Sequence, residues 1–379
     1  MLFNFSYKYR IYPTKEQEIS LVKHFGCVRF IWNYFLNERK EHYLKNKEEI
    51  ETKRIRGDFS YYDNCKKLTL LKREKDKEWL KNCATQSLQA SLKHLDSAYR
   101  MFFRKIHGFP NFKNKDGKQS FTIPGKFKLK NNKIYIPKFR EGIKVREHKK
   151  LEGKFIVATI SKTTTNKYYI SIIVEKEIVS LPTIDKTIGI DLGIKDLIIC
   201  SDGVKYSNVQ LLRTFENKLK YKQRQLSKKV KWSNNRKKAK VKLAIIHEKI
   251  RNSRKDHIHK ITSAITNKNQ VIIAEDLNVK GMMQNHKLAK AISDVSWNEI
   301  HRQLEYKGKW KGKIYHRIDR FFPSSKMCNS CNYINNELTL KDRVWNCSNC
   351  NTILDRDLNA SINILNQGLN NLNAVGTIV

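Results

Sequence analysis

The 379-residue sequence holds no run of 18 apolar residues, so no segment reads as a membrane-spanning helix. Acidic residues are scarce: 36 Asp and Glu stand against 76 Lys and Arg, a formal net charge of +40. Such a field attracts a polyanion, with affinity that falls steeply as salt rises, and nucleic acid is the expected partner. The basic residues are spread through folded-looking segments rather than gathered in one polybasic patch, so no membrane surface is expected as a partner. No secretory signal opens the chain, and four of its eight cysteines, Cys27, Cys65, Cys83 and Cys200, are scattered. A disulfide framework is therefore a poor reading, and a reducing cytoplasm is the expected setting. Hydrophobic residues are not lacking: at 40% of the chain they can fill the cores of two or three domains.

The other four cysteines form two C-x-x-C pairs, Cys328/Cys331 and Cys347/Cys350, with 15 residues between Cys331 and Cys347. Each such turn points two thiolates at one centre, and two turns close a tetrahedral zinc site. Cysteine at all four positions leaves no ligand place for water, so the expected zinc is structural. Asn332 and Asn351 follow the pairs where many ribbons carry glycine, and asparagine is the next residue best able to adopt positive φ. Binding of the metal would stabilise this segment by about 10 kcal/mol or more.

Phe3 to Tyr12 alternates apolar and polar residues as a strand does, and Pro13 ends it. Thr14 and Gln17 form a capping box for a helix. Helices continue to about Gly108, with apolar spacing at Ile19, Val22 and Phe25 and again at Leu88, Leu92 and Leu95. A loop rich in Gly, Pro, Asn and Lys, GFPNFKNKDGKQSF, then marks a change of architecture. Beyond it, Phe127 to Leu129 and Ile134 to Ile136 flank Asn131-Asn132, a two-residue hairpin turn. Phe155 to Ile160 and Tyr168 to Val174 read as a second hairpin. The expected organisation is a small β-domain, residues 1–13 and 118–182, interrupted by a helical insert, 14–117. Two unrelated domains in series fit the same pattern.

A new unit opens near Lys186. Thr187 to Asp191, Leu197 to Cys200 and a short third strand after Ser201-Asp202-Gly203 make a meander. Residues 213–255 then carry 17 Lys and Arg and two acids, Glu216 and Glu248. Leu219, Leu226 and Val230, then Leu243, Ile246 and Ile250, recur at helical spacing about a break at Ser233-Asn234-Asn235. A helical hairpin with this excess of charge repels itself without a polyanion, so it is expected to touch nucleic acid. Gln270 to Glu275 is a fourth strand, Lys313 to Ile318 a fifth, and a last helix starts near Asp357. Three strands, helix, strand, helix, strand, helix is the order of an RNase H-like α/β fold.

Asp191 sits inside an otherwise apolar strand, where a charge is costly unless it meets a cation. Glu275 ends another such strand, and Asp357 opens the last helix. Acids at these three places can converge in an RNase H-type site. Carboxylate oxygens suit magnesium, and two such ions can activate water and stabilise the departing oxygen in phosphodiester hydrolysis. Each acid has a bland alternative: Asp191 as a strand-end turn former, Asp276 in place of Glu275, and Asp355 in place of Asp357, either of that last pair serving as the helix N-cap. His257-Ile258-His259 has a His-apolar-His pattern, but in a helix the two rings point to different sides. Trp232, Trp297, Trp310, Phe112 and Phe121 lie near basic residues and could stack on bases, although each is first a candidate for the core.

The segments YRIYPTKEQE, GFPNFKNK, GIDLGIKDL, AEDLNVKGM, RFFPSSKMCNSCNY and DRDLNASINIL run nearly end to end. Through them the chain resembles the TnpB/OrfB proteins encoded by bacterial insertion sequences, relatives of the type V CRISPR effector nucleases. The resemblance implies a RuvC-like nuclease at residues 183–326 and 351–368, with Asp191, Glu275 and Asp357 as the catalytic acids. It favours Asp357 over Asp355, because the family's acid directly precedes the L/V-N-A step. It also implies a basic helical insert at 213–269, a zinc ribbon at 327–350, a β-barrel wedge domain built from the strands and a helical recognition domain from 14–117. Family membership further implies a guide RNA from the transposon end, pairing with double-stranded target DNA beside a short motif that the protein reads. Residues 369–379 are expected to be a tail, and a monomer acting on the bacterial nucleoid is the working expectation. The implied function is a transposon-associated, magnesium-dependent, RNA-guided DNA endonuclease. The rival readings are a non-catalytic zinc-ribbon DNA-binding accessory or repressor of transposition, and a guide-free, branch-selective nuclease.

Overall fold

The computed structural model describes residues 2–51, 60–125, 127–178, 181–339 and 341–376, and the chain divides into two compact units, 1–177 and 178–379. In the first, β1 (Leu2–Tyr12) leads to α1 (Lys15–Lys45), α2 (Lys47–Glu51), α3 (Tyr61–Leu71), a 3-10 helix (Lys75–Asn82) and α4 (Thr85–Phe103). Six strands follow: β2 (Gln119–Pro124), β3 (Lys128–Lys130), β4 (Lys133–Ile136), β5 (Phe139–Arg146), β6 (Lys154–Lys162) and β7 (Tyr168–Glu177). The Thr14/Gln17 capping box opens α1, and Asn131 and Asn132 turn the β3–β4 hairpin in the left-handed region.

The buried face of α1 runs through Leu21, Phe25, Val28, Ile31 and Phe35, whereas Ile19 and Val22, expected beside Phe25, are exposed. Steps of three lag the helical period by about 60° each, so counting back from Phe25 walks off the core face.

The seven strands form one antiparallel sheet, ordered β2-β6-β7-β1-β5-β4-β3. The chain leaves this sheet after β1 and returns at β2. Helix and sheet share one core, in which Phe25, Leu88, Leu92 and Leu95 cluster with Tyr9, Ile11, Phe121, Ile160 and Ile172. Closing a barrel needs both sides of every strand paired. Among the described residues β3, three residues long, pairs only with β4, and no ladder joins it to β2, so the expected barrel is an open sheet in its hydrogen bonding.

The second unit runs β8 (Thr187–Asp191), β9 (Asp196–Cys200), β10 (Lys205–Ser207), α5 (Leu211–Ser227), α6 (Asn234–Lys268) and β11 (Val271–Glu275). It continues through α7 (Val279–Met282), α8 (His286–Val295), α9 (Trp297–Lys311), β12 (Ile314–Ile318), β13 (Val344–Asn346), β14 (Ile353–Asp355) and α10 (Arg356–Ala374). The main sheet is ordered β10-β9-β8-β11-β12: an antiparallel meander, then β11 parallel to both β8 and β12. Ile272 and Ala274 of β11 pack with Ile261 and Ile265 of α6 and Ile300 and Leu304 of α9, while Val271 and Ile273 pack with Ile364 and Leu372 of α10. Burial on both faces is why this strand reads as an unbroken apolar run.

Helix α10 lies very close to the sheet: a Cβ on Gly189 would stand 2.1 Å from Ser361 O, and one on Gly368 2.3 Å from Ile273 Cγ2. The helix does not stop at 368. It continues to Ala374, because Leu369 and Leu372 are needed to cover Val271 and Ile318, so the expected tail is largely helix; residues 377–379 lie outside the described residues. The β13–β14 ladder likewise carries the cysteine segment past 350 to Asp355. Among the described residues no helix is long and apolar enough to cross a membrane.

Candidate active site and metal centre

Ala274 pairs with Ile190 in the parallel β8–β11 ladder, so the next residues along, Glu275 and Asp191, stand side by side at the strand ends. Both are half-buried. Burial, then the negative charge of Glu275 and that of Asp357, push the Asp191 carboxyl up to about 7, and burial alone pushes Glu275 up to about 7. Asp357 lies in the first turn of α10, the helix packed on β8.

The neighbouring acids have other partners. Asp355 is the N-cap of α10, accepting from the N–H groups of Asp357 at 3.1 Å and Leu358 at 3.0 Å, and it pairs with Lys205 at 3.0 Å. Asp276 is held by Arg317 at 2.8 Å and Arg320 at 2.7 Å. With the cap supplied by Asp355, the Asp357 carboxylate instead accepts from Arg343 Nη1 at 2.8 Å and Arg356 Nη2 at 2.9 Å.

An all-carboxylate donor set suits a hard, hydrated divalent cation, and a cation would relieve the repulsion that raises the Asp191 carboxyl. The acids are less tightly gathered than the cysteines. Among the described residues, only the four cysteines bring three or more ligand atoms within 4.8 Å of one another.

Sγ of Cys331 lies 3.5 Å from that of Cys347, and Sγ of Cys328 lies 3.7 Å from that of Cys350. Tetrahedral zinc with Zn–S bonds near 2.3 Å has edges of about 3.8 Å, so the cluster fits zinc. Asn332 and Asn351 adopt φ of 62° and 57°, and their N–H groups close the knuckles onto Cys328 O at 2.9 Å and Cys347 O at 2.8 Å. The hydrogen bond to the Thr352 hydroxyl pulls the Cys350 thiol down to about 6, while burial pushes Cys328 up to about 11.

Helix α10 is spliced to the first knuckle by two buried asparagines, four residues apart and therefore on one helix face. Asn359 Oδ1 accepts from the Asn329 N–H at 2.9 Å and its Nδ2 donates to Met327 O at 2.7 Å. Asn363 Nδ2 donates to Ser324 O at 2.8 Å and to Met327 O at 2.6 Å. Nothing in the local spacing pointed to Arg343 or Arg356. Asn359 and Asn363 did leave a signal, as amides at i and i+4 in a stripe where a core helix carries leucine.

The remaining candidates separate. His257 Nε2 lies 3.0 Å from Ser207 O while Ile258 beside it is buried, and the two histidines join no metal cluster among the described residues. Trp297 and Phe121 are core residues, Trp310 packs on Tyr306 with centroids 4.5 Å apart, Phe112 is exposed, and Trp232 is 84% exposed.

Three antiparallel strands followed by two parallel ones, covered by helices on both faces, place the second unit in the RNase H-like α/β class. Family models match the chain at residues 171–286 ("Probable transposase"), 297–364 ("Cas12f1-like, TNB domain") and 1–48 ("Helix-turn-helix domain"). Most of that last stretch is β1 and the single 31-residue helix α1 rather than two helices joined by a turn. A Streptomyces pristinaespiralis protein named "Putative RNA-guided DNA endonuclease" is 34% identical over 368 residues, 96% of this chain and 89% of the relative. The Escherichia coli K12 relative InsQ, of the same name, is 31% identical over 382 residues, 96% of this chain and 92% of its own. In fold, the chain is similar to a protein in the cryo-EM structure of the Cas12f1-sgRNA-target DNA complex, with a TM-score of 0.57, 15% identity and coverage of 96% and 98%. The chain belongs to the TnpB/OrfB family of insertion-sequence-encoded RNA-guided nucleases.

Proposed function

We propose that this chain is an RNA-guided endonuclease that hydrolyses phosphodiester bonds of double-stranded DNA at a divalent-cation site made by Asp191, Glu275 and Asp357. One observation carries the reading: Asp191 and Glu275 stand side by side at the ends of adjacent parallel strands, where burial and the charges of Glu275 and Asp357 push the Asp191 carboxyl up to about 7. A strand end with that much negative charge and so little water is stable when a cation completes it. Magnesium is the proposed ion, because every ligand is a carboxylate oxygen. Such a cation, when bound, supplies an activated water and shields the departing oxygen. Asp191 and Glu275 are its anchors on the sheet, and Asp357, which Arg343 and Arg356 hold when no cation is bound, completes the set.

Structural zinc at Cys328, Cys331, Cys347 and Cys350 would hold the segment that presents Arg343. The relatives named as RNA-guided DNA endonucleases support a guide RNA and a DNA target as partners. In this reading residues 1–13 and 118–182 serve as the wedge and 14–117 as the recognition part, and the protein acts on nucleoid DNA in the bacterial cytoplasm.

Asp191→Ala should slow cleavage by roughly 10³-fold or more, the loss of several kcal/mol of transition-state stabilisation, while guide RNA and target DNA still bind. Cutting by this variant at the wild-type rate would sink the acid assignment. Cutting that survives RNase treatment would sink the guided one. Sequencing the copurifying RNA should return one defined species.

A further inference from the structure

The hairpin of α5 and α6 has a packed base and a bare tip. At the base, Leu219, Ile246 and Ile250 cluster with Leu211, Phe215 and Leu243. Asp294 of α8 fastens it, accepting from the Leu212 N–H at 2.9 Å and from Arg254 Nη2 at 2.5 Å. From Leu219 to the end of α5 at Ser227 the helix runs on for roughly 12 Å.

The turn that follows holds Trp232 with φ of 70° and 84% of its surface exposed. A lone exposed aromatic needs no explanation. A bulky residue in the left-handed region does, because it stays there only where its surroundings hold it. Here they do. Arg236 Nη1 donates to Leu226 O at 3.0 Å and to Lys229 O at 2.9 Å. The Ser233 hydroxyl donates to Val230 O at 2.9 Å and accepts from the Arg236 N–H at 3.1 Å.

Charge points to the same place. Between Glu216 and Glu248 the chain has 12 Lys and Arg and no acid. The ion pairs Lys220–Glu216, Lys290–Glu216, Arg254–Asp294 and Lys260–Asp256 lie away from the tip. Lys228, Lys229, Lys231, Lys237 and Lys238 lie within six residues of Trp232 in the sequence, and no acid lies among them.

We propose that this tip is an RNA-binding element, in which Trp232 stacks on an unpaired base of the guide RNA while the turn lysines contact the flanking phosphates. The inference rests on the guided reading above. RNA is the occupant because bases in a DNA duplex are already stacked on one another, whereas folded RNA offers splayed bases in loops, bulges and ends. A protein partner for so basic a tip would have to be acidic, and it would leave RNA affinity untouched when the indole is removed.

The test uses the full chain, the RNA that copurifies with it and a fixed salt concentration. Trp232→Ala should weaken RNA binding about ten-fold with an unchanged slope of log Kd against log salt, because stacking and not charge is lost. Trp232→Phe should restore most of the affinity. The double variant Lys229→Gln, Lys231→Gln should instead flatten the salt slope. Equal RNA affinity for wild type and Trp232→Ala overturns the inference, as does a loss confined to duplex DNA. Wild-type protein that binds no defined RNA overturns the guided reading itself, which separates the two failures.

Discussion

Arg343 donates to Asp357 Oδ2 at 2.8 Å, so the residue just before β13 of the cysteine segment grips a carboxylate of helix α10. Arg356 takes the other oxygen at 2.9 Å, and its N–H donates to Arg343 O at 2.9 Å. Two guanidinium groups thus meet a charge that a divalent cation would also seek.

Removing one of these competitors should ease metal binding. Arg343 is largely exposed, so its ion pair is worth about 0.2–1 kcal/mol. Arg343→Ala should lower the magnesium concentration for half-maximal cleavage by up to about five-fold. A raised requirement in single-turnover titrations would show that Arg343 positions the carboxylate rather than competing for it.

The Asn359 splice gives a second expectation. Asn359→Ala leaves the Asn329 N–H without its acceptor, at about 1–3 kcal/mol, and leaves Met327 O to the Asn363 amide alone. The variant should melt at lower temperature and cleave more slowly, yet keep full zinc content and a normal thiolate absorption after cobalt substitution. Lost zinc would mean that the asparagines build the knuckle rather than join it to α10.

Two glycines predict opposite outcomes. Gly189→Ala drives a Cβ into Ser361 O and Leu365, so α10 must move off the sheet, at a cost of about 1–3 kcal/mol or more. Gly26, inside α1, has nothing within 4 Å of an added Cβ, and Gly26→Ala should stabilise by about 0.5–1 kcal/mol. Denaturation midpoints of the full chain decide both.

The raised Asp191 carboxyl sets a pH dependence with a definite sign. Its folded value stands near 7 against 3.8 ordinarily, so between about pH 4 and 7 the folded state binds more protons than the unfolded one. Stability therefore falls as pH rises through that window. In zinc-loaded, magnesium-free protein, Asp191→Asn should melt higher than wild type at pH 8, by up to a few kcal/mol, and the two should converge near pH 4. Magnesium should raise the wild-type melting temperature at pH 8 and leave the variant's unchanged.

Some of this architecture was legible without coordinates because its signals are local. An apolar run ending in an acid marked β11 as a strand, and the structure then buried both of its faces. Two C-x-x-C turns marked the sulfur cluster, and Thr14 with Gln17 marked the start of α1. Apart from the family resemblance, local signals left the choice between Asp355 and Asp357 open. Both open the same helix, and only the course of β14 aims the Asp355 oxygen at the free N–H groups, leaving Asp357 to other partners. Ile19 and Val22 failed as core residues because an apolar residue at helical spacing does not say which face the sheet will cover. The α10 turns beyond 368 were missed because their need comes from Val271 and Ile318, far away in the chain.

The sequence by itself determined the chemistry available: four thiols at metal spacing, acids ending apolar strands, and a basic hairpin with a tryptophan at its turn. Tertiary structure alone decided which groups meet. The Arg343–Asp357 pair, the Gly189–Ser361 approach and the Asn359–Met327 splice join residues 14, 172 and 32 positions apart, and no local period encodes such contacts.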